Sequence, residues 1–276
     1  MSRIDFLFWG ALGAPFRVFR EKRDLALELA KREVLGRYRG ATFGLLWSIA
    51  SPFLLLIVYT LAFGSVMKAR WPEVAEGRAS FSLVLFVGLV VHGFFSECLV
   101  RSPNLITGNP NFVKRVIFPL DILPWSMVFS ALFHTLTNML VFLFLRLVME
   151  GEFELKVILM PVVLLPLVLL ALGMSWFLAS LGVYFRDVNQ VTGVVATALL
   201  FLSSAMIPTS VVPDPFKLVF QLNPLTFIID QAREVALWGN WPDWGGLGAY
   251  LFIAVCVFYA GYAWFHATRR GFADVI

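Results

Sequence analysis

Six stretches of this 276-residue chain are long and apolar enough to cross a bilayer, which directs the fold to an all-α polytopic membrane bundle. Hydrocarbon offers no water to backbone N–H and C=O groups, so a crossing segment must satisfy them itself, as a helix does. About 20 mostly apolar residues suffice. The runs lie at roughly 42–67, 81–101, 118–147, 157–184, 190–208 and 246–268, with few ionised residues away from their ends. Pro161 and Pro166 predict a bend or tilt in the fourth run rather than an additional crossing. The composition agrees: 59% hydrophobic and 14% charged residues, against about 25% charged in an ordinary soluble domain. That excludes a soluble fold and a disordered chain. Cys98 and Cys256 are too few for a disulfide framework and read as small apolar residues.

An even number of spans puts both termini on one side, and Lys and Arg decide which. Residues 1–41, the loops at 101–117 and 185–190 and the C-terminal tail carry fifteen of the 22 cations; the other side carries seven. Both termini are therefore expected in the cytoplasm, with a cytoplasmic segment at 1–41, one membrane domain at 42–268 and a tail at 269–276. The first span doubles as the targeting signal, because the first forty residues are too charged to hold an apolar signal core. The basic pI reflects this orientation. The cations are spread along span ends, so nucleic acid is not an expected partner.

Residues 22–40 set Ala26, Leu27, Ala30, Val34 and Tyr38 at helical spacing among Lys, Arg and Glu. This predicts an amphipathic helix at the cytoplasmic interface, meeting membrane lipid headgroups or a soluble partner. Gly36, Gly40 and Gly44 fall four apart, which reads as a close-packing stripe or as freedom at the bend into the first span.

Chemistry-bearing motifs are absent. His92, His134 and His266 are scattered, which argues against a metal site. None of the six lysines precedes Ser or Thr, so no phosphate-binding Walker loop is present. Ionisable residues are nearly lacking inside the spans; Glu97 and Asp121 sit near the cytoplasmic ends of the second and third, and mid-bilayer carboxylates of the kind ion-coupled transporters carry are not seen. If such a chain drives uphill transport, the energy comes from another polypeptide.

The loop Ser102–Arg115 is punctuated by Pro103 and Pro110, and Asn111 is placed to cap a short helix after it. Phe112 and Val113 beside Lys114 and Arg115 form an apolar tip on a basic base, suited to a groove on a cytoplasmic partner or simply to an interfacial turn. Thr209–Gly245 is too long and too apolar for a free loop, and it is interrupted at Asn223-Pro224. It reads as two half-helices re-entering the membrane from outside, or as a flat interfacial helix.

These residues together resemble the ABC-2 type permease family, the integral-membrane subunits of polysaccharide-exporting ABC transporters of the O-antigen, capsule and teichoic acid group. The resemblance rests on Arg37-Tyr38-Arg39, Gly44-Leu45-Leu46-Trp47, Pro52, Asn104-Leu105, Val113-Lys114-Arg115, Phe118-Pro119 and Ile122-Leu123-Pro124. It continues through Tyr184-Phe185-Arg186-Asp187-Val188 to Asn223-Pro224 and covers about residues 20–270. It implies a permease in a bacterial inner membrane: a homodimer served by two copies of a cytoplasmic ATPase, with ATP and Mg on that partner and no cofactor or catalytic residue on this chain. The implied ATPase-coupling residues are Asn104, Leu105, Asn111, Phe112, Val113, Lys114 and Arg115, with Arg37, Arg39, Arg186 and Asp187 on the same face. Asn223 and Pro224 would lie in an exit hairpin.

A lipid-linked polysaccharide needs flat aromatic faces and modest hydrogen bonding rather than a tight pocket. Phe43, Trp47, Phe53, Tyr59 and Phe63 in the first span, with Phe201 in the fifth, are the candidates to line its conduit. Trp and Tyr at an interface and Phe facing lipid is the competing reading. Three other functions compete: an ABC-2 exporter of lipids or drug-like molecules, a membrane-embedded transferase and a scaffold. The exporter more often carries a larger outer domain or a fused ATPase, and the transferase needs a buried His/Asp/Glu constellation. The motif set is what argues against a scaffold.

Overall fold

The computed structural model describes residues 3–62, 80–113, 118–151 and 154–275, with side chains from residue 13 onward. Every regular element among them is helical. In chain order these are α1 (Arg3–Arg37), α2 (Trp47–Tyr59), α3 (Phe81–Arg101), α4 (Asn104–Thr107), α5 (Pro110–Val113) and α6 (Leu123–Glu150). Then follow α7 (Met160–Tyr184), α8 (Val188–Phe201), α9 (Asp214–Leu222), α10 (Pro224–Ala236), α11 (Trp244–Thr268) and α12 (Phe272–Val275).

Five segments are long and apolar enough to span: Gly44–Ala62, Phe81–Arg101, Leu120–Glu150, Leu155–Tyr184 and Trp244–Val275. The fifth expected run differs. It forms the 14-residue helix α8 and then breaks into turns at Leu202, short of Pro208. At 1.5 Å per residue α8 is about 21 Å long, less than the ~30 Å hydrocarbon core. The fourth run forms the single helix α7, with Pro161 in its first turn, where a missing N–H costs nothing, and Pro166 inside.

The core is built around α3, whose residues Leu83–Val87 are essentially inaccessible, as are Val91 and Phe95. Helices α6, α7, α8 and α10 pack around it. The most extensive pairing is α7 with α11. There Gly173 and Gly261 bring the two backbones into contact: a Cβ on Gly173 would lie 2.5 Å from the Val257 carbonyl, and one on Gly261 would strike the Gly173 carbonyl. In lipid, small residues of this kind give helices the van der Waals approach that hydrophobic burial cannot. By contrast α2 leans loosely on α6 and leaves Leu54, Leu55 and Val58 exposed.

The N-terminal helix begins at Arg3, well before the expected start near residue 22, and kinks at Lys22. Its buried face is Ala26, Leu29, Ala30 and Val34. Leu27, assigned to that face from spacing, is instead 51% exposed, because α1 turns a neighbouring stripe toward α6. The glycine triplet is not a packing stripe. A Cβ at Gly36, Gly40 or Gly44 would meet nothing within 4 Å, and Gly40 (φ +86°) and Gly44 (φ +49°) serve the bend through left-handed backbone.

Candidate functional site

At the end of the bundle bearing Arg37, Arg101 and Arg186, the last turns of α1 meet α3 and α6 through ionic contacts. Glu97 Oε1 accepts from Arg101 Nη1 at 2.8 Å and lies 3.0 Å from Arg37 Nη2, and Glu97 Oε2 lies 2.9 Å from His134 Nδ1. Arg101 also donates to Glu33 on α1. The carboxylate and imidazole are mostly buried (side chains 13% and 11% exposed), where an unpaired charge would be costly. Two guanidinium groups therefore face two carboxylates, and α1 is bound to two spans through Glu33 and Arg37. From the sequence, Glu97 and His134 stood apart; the i,i+4 spacing of Glu97 and Arg101 was the one visible sign of a network.

Beside the network lies a cavity of about 200 Å³ between the start of α2 and the middle of α3 and α6. Arg37, Tyr38, Trp47, Ser51, Gly93, Glu97, His134 and Asn138 are among its walls. Trp47 thus shares a cavity with Arg37, joining one candidate conduit residue to one candidate coupling residue. Phe43 contacts Trp47 edge-to-face at 6.1 Å. Phe53 opens onto an apolar crevice of about 510 Å³ with Leu140 and Phe144 of α6. Tyr59 packs against the core, Phe201 is exposed at the end of α8, and Phe63 lies outside the described residues.

The 102–113 loop is pinned to the bundle. A Cβ on Gly182 of α7 would collide with the Pro103 carbonyl, so only glycine lets the loop backbone lie directly on that helix. Leu105 and Ile106 are buried, and Asn109 Nδ2 donates to the Leu105 carbonyl at 3.0 Å. Asn111 is not a cap; it lies inside α5, whose first turn is closed by Phe112 N–H to the Asn109 carbonyl. Phe112 is not a free tip either. It stacks on Phe118 with centroids 4.2 Å apart, and the Arg32 guanidinium of α1 sits 5.7 Å above its ring. Val113 is half-buried, while Lys114 and Arg115 lie outside the described residues.

Asn104 and Arg186 line one polar cavity of about 470 Å³ with Thr107, Asn189 and Val275 of the C-terminal helix. Asp187 is exposed in the same turn, and its carbonyl accepts the Gln190 N–H. Arg39 borders a separate groove of about 540 Å³ along α1 with Lys31 and Arg32.

The opposite end is organised by the segment broken at Asn223-Pro224, where α9 stops and α10 starts as expected. Asn223 Oδ1 caps α10 by accepting Leu225 N–H at 2.9 Å, while its Nδ2 donates to the carbonyls of Leu199 (3.1 Å) and Leu202 (2.9 Å). The Pro224 carbonyl accepts from Tyr250 of α11 at 2.8 Å. Helix α10 is deeply buried, with Leu225, Ile228, Ile229 and Ala232 inaccessible, whereas α9 is mostly exposed. Arg233 donates to the Val84 carbonyl of α3 and to the Ser204 and Ala205 carbonyls after α8. Arg146 of α6 donates to the carbonyls of Ala236 and Leu237. Both belong to the seven cations that the charge tally places on the outer side. Here they satisfy buried backbone carbonyls, at the end of α10 and in the turn after α8 above all.

Among the described residues no cluster of His, Cys, Asp and Glu could hold a metal ion. The pattern of the ABC-2 type transporter family matches residues 25–237. Similar proteins include the O-antigen export system permease protein RfbA of Myxococcus xanthus, 28% identical over 94% of this chain and 98% of the relative. An RfbA of Klebsiella pneumoniae is 25% identical over 92% and 95%. The polysialic acid transport protein KpsM of Escherichia coli is 27% identical over 75% of this chain and 79% of the relative. With the family pattern covering most of its length, the chain belongs to the ABC-2 type transporter family.

Proposed function

We propose that this chain is the permease subunit of an ATP-driven exporter moving a lipid-linked polysaccharide, of the O-antigen or a related cell-surface class, across a bacterial inner membrane. The observation that carries this reading is the match along nearly the whole chain to proteins named as O-antigen export permeases. The polysialic acid transport protein points to the same substrate class. Energy comes from a separate ATPase that holds ATP and Mg. Two copies of it serve a homodimer of this subunit, and both termini lie in the cytoplasm.

In this reading the chain crosses six times, the short α8 and the turn after it completing the fifth crossing, and α9–α10 form a re-entrant hairpin at the exit. Asn104, Leu105 and Asn111–Arg115 receive the ATPase, with Arg37, Arg39, Arg186 and Asp187 around them. The shared cavity of Asn104 and Arg186 and the α1 ion pairs support one docking face there. A ligand-driven change requires contacts that differ between two states, and ATP-driven closure of the partner supplies them at this face. Phe43, Trp47, Phe53, Tyr59, Phe63 and Phe201 line the conduit. Deleting the gene should abolish surface polysaccharide while the glycan accumulates inside, and the intact gene should restore it. Unchanged surface polysaccharide would contradict the proposal.

A further inference from the structure

We propose that the cavity beside Trp47 is a saccharide subsite that takes one uncharged sugar ring of the exported chain; this rests on the polysaccharide reading above. The cavity is small, about 200 Å³, which suits a single ring rather than a run of polymer. Its wall on α3 runs from Gly93 to Glu97, about 12 to 6 Å along the axis from Arg101 at the end of that helix, and on α6 it reaches Asn138, so the space lies within the spans.

The charges select a neutral ligand. Arg37 pairs with Glu97, and Arg101 pairs with Glu97 and Glu33, so the two guanidinium groups are balanced by two carboxylates. A phosphate would demand a surplus cation. What the walls do offer is hydrogen bonding suited to hydroxyl groups. The Tyr38 and Ser51 hydroxyls and the Asn138 amide have no hydrogen-bond partner among the described residues, and hydroxyl and amide both donate and accept. Trp47, 37% exposed, adds a flat face for the C–H side of the ring, and Pro52, Leu55 and Phe94 close the apolar wall.

Gly93 makes the idea testable. It lines the cavity, and a Cβ there would meet nothing within 4 Å, so a larger side chain enters the open space without disturbing the helices. A benzophenone amino acid at Ser51, on the cavity wall, is photoactivated in cells making the glycan, and the purified subunit is stained for covalently attached sugar. The expected result is a glycan adduct at Ser51 that disappears with Gly93→Met and with Asn138→Leu while subunit levels in the membrane stay normal. No adduct at Ser51, or an adduct indifferent to both substitutions, overturns the subsite. Polysaccharide that still depends on the gene while the adduct fails the test removes the subsite alone; polysaccharide independent of the gene removes the exporter reading itself.

Discussion

Glu97 of α3 and Arg37 at the end of α1 are 3.0 Å apart, and Arg101 and His134 close on the same carboxylate. Helix α1 is thereby tied to two spans by charge as well as by apolar packing. In the proposed exporter, these contacts would carry force from the ATPase on α1 to α3 and α6.

Removing one member should cost more than removing a pair. Glu97→Met leaves Arg37 and Arg101 facing each other with Glu33 alone to balance them, a loss of about 1–2 kcal/mol, below that of a fully buried pair because the two guanidinium groups are partly in solvent. Replacing Arg37 and Glu97 together with methionine should recover part of that loss, because no charge is stranded between them. Thermal unfolding in detergent of the wild type, Arg37→Met, Glu97→Met and the double variant measures the coupling, and strict additivity would show that the contact contributes nothing.

Gly182 is the residue on which the 102–113 loop rests. Gly182→Ala places a methyl group against the Pro103 carbonyl and must lift the loop from α7. Export should fall several-fold while the subunit still inserts and the partner ATPase still turns over. Gly173→Leu, at the α7–α11 contact, should instead lower the amount of folded protein, so immunoblots of membranes separate the two effects.

Lys114→Glu and Arg115→Glu reverse the charge of the basic base of that loop. ATP turnover should continue with export lost, read from ATPase assays beside surface-glycan staining. Unaltered export in both variants would remove this stretch from the coupling face.

The two halves of the Asn223 amide have separate roles. Asn223→Ala loses the cap on α10, which contributes about 1 kcal/mol, and the donors to Leu199 and Leu202. Asn223→Asp keeps a capping oxygen but sets a buried carboxylate oxygen against those two carbonyls, so stability should fall in the order Asn, Ala, Asp. An Asp variant as stable as the wild type would mean that the amide donors are immaterial.

Much of the bundle was legible from hydropathy, because lipid enforces helices and length sets the spans. The break at Asn223-Pro224 was legible from proline chemistry. Leu27 was misassigned because a stripe of helical spacing does not say which neighbour the helix turns toward. The end of α8 at Phe201 was invisible in a run that stays apolar through Ile207, since the turn is stabilised by distant groups, Asn223 and Arg233, reaching its carbonyls. The Glu97 network was missed for the same reason: its members come from three separate helices, and local spacing reports only neighbours on one. Conversely, the glycines conspicuous in sequence at 36, 40 and 44 pack nothing, while Gly173, Gly182 and Gly261, set singly in apolar runs, carry the closest backbone contacts.

The most direct test is reconstitution of this chain with its partner ATPase in sealed vesicles loaded with lipid-linked polysaccharide on the ATPase-facing side. The account predicts that glycan becomes accessible to a glycosidase on the opposite side only when ATP is hydrolysed, and that this requires both polypeptides. Transfer without ATP, or ATP hydrolysis with the glycan still protected, would contradict it.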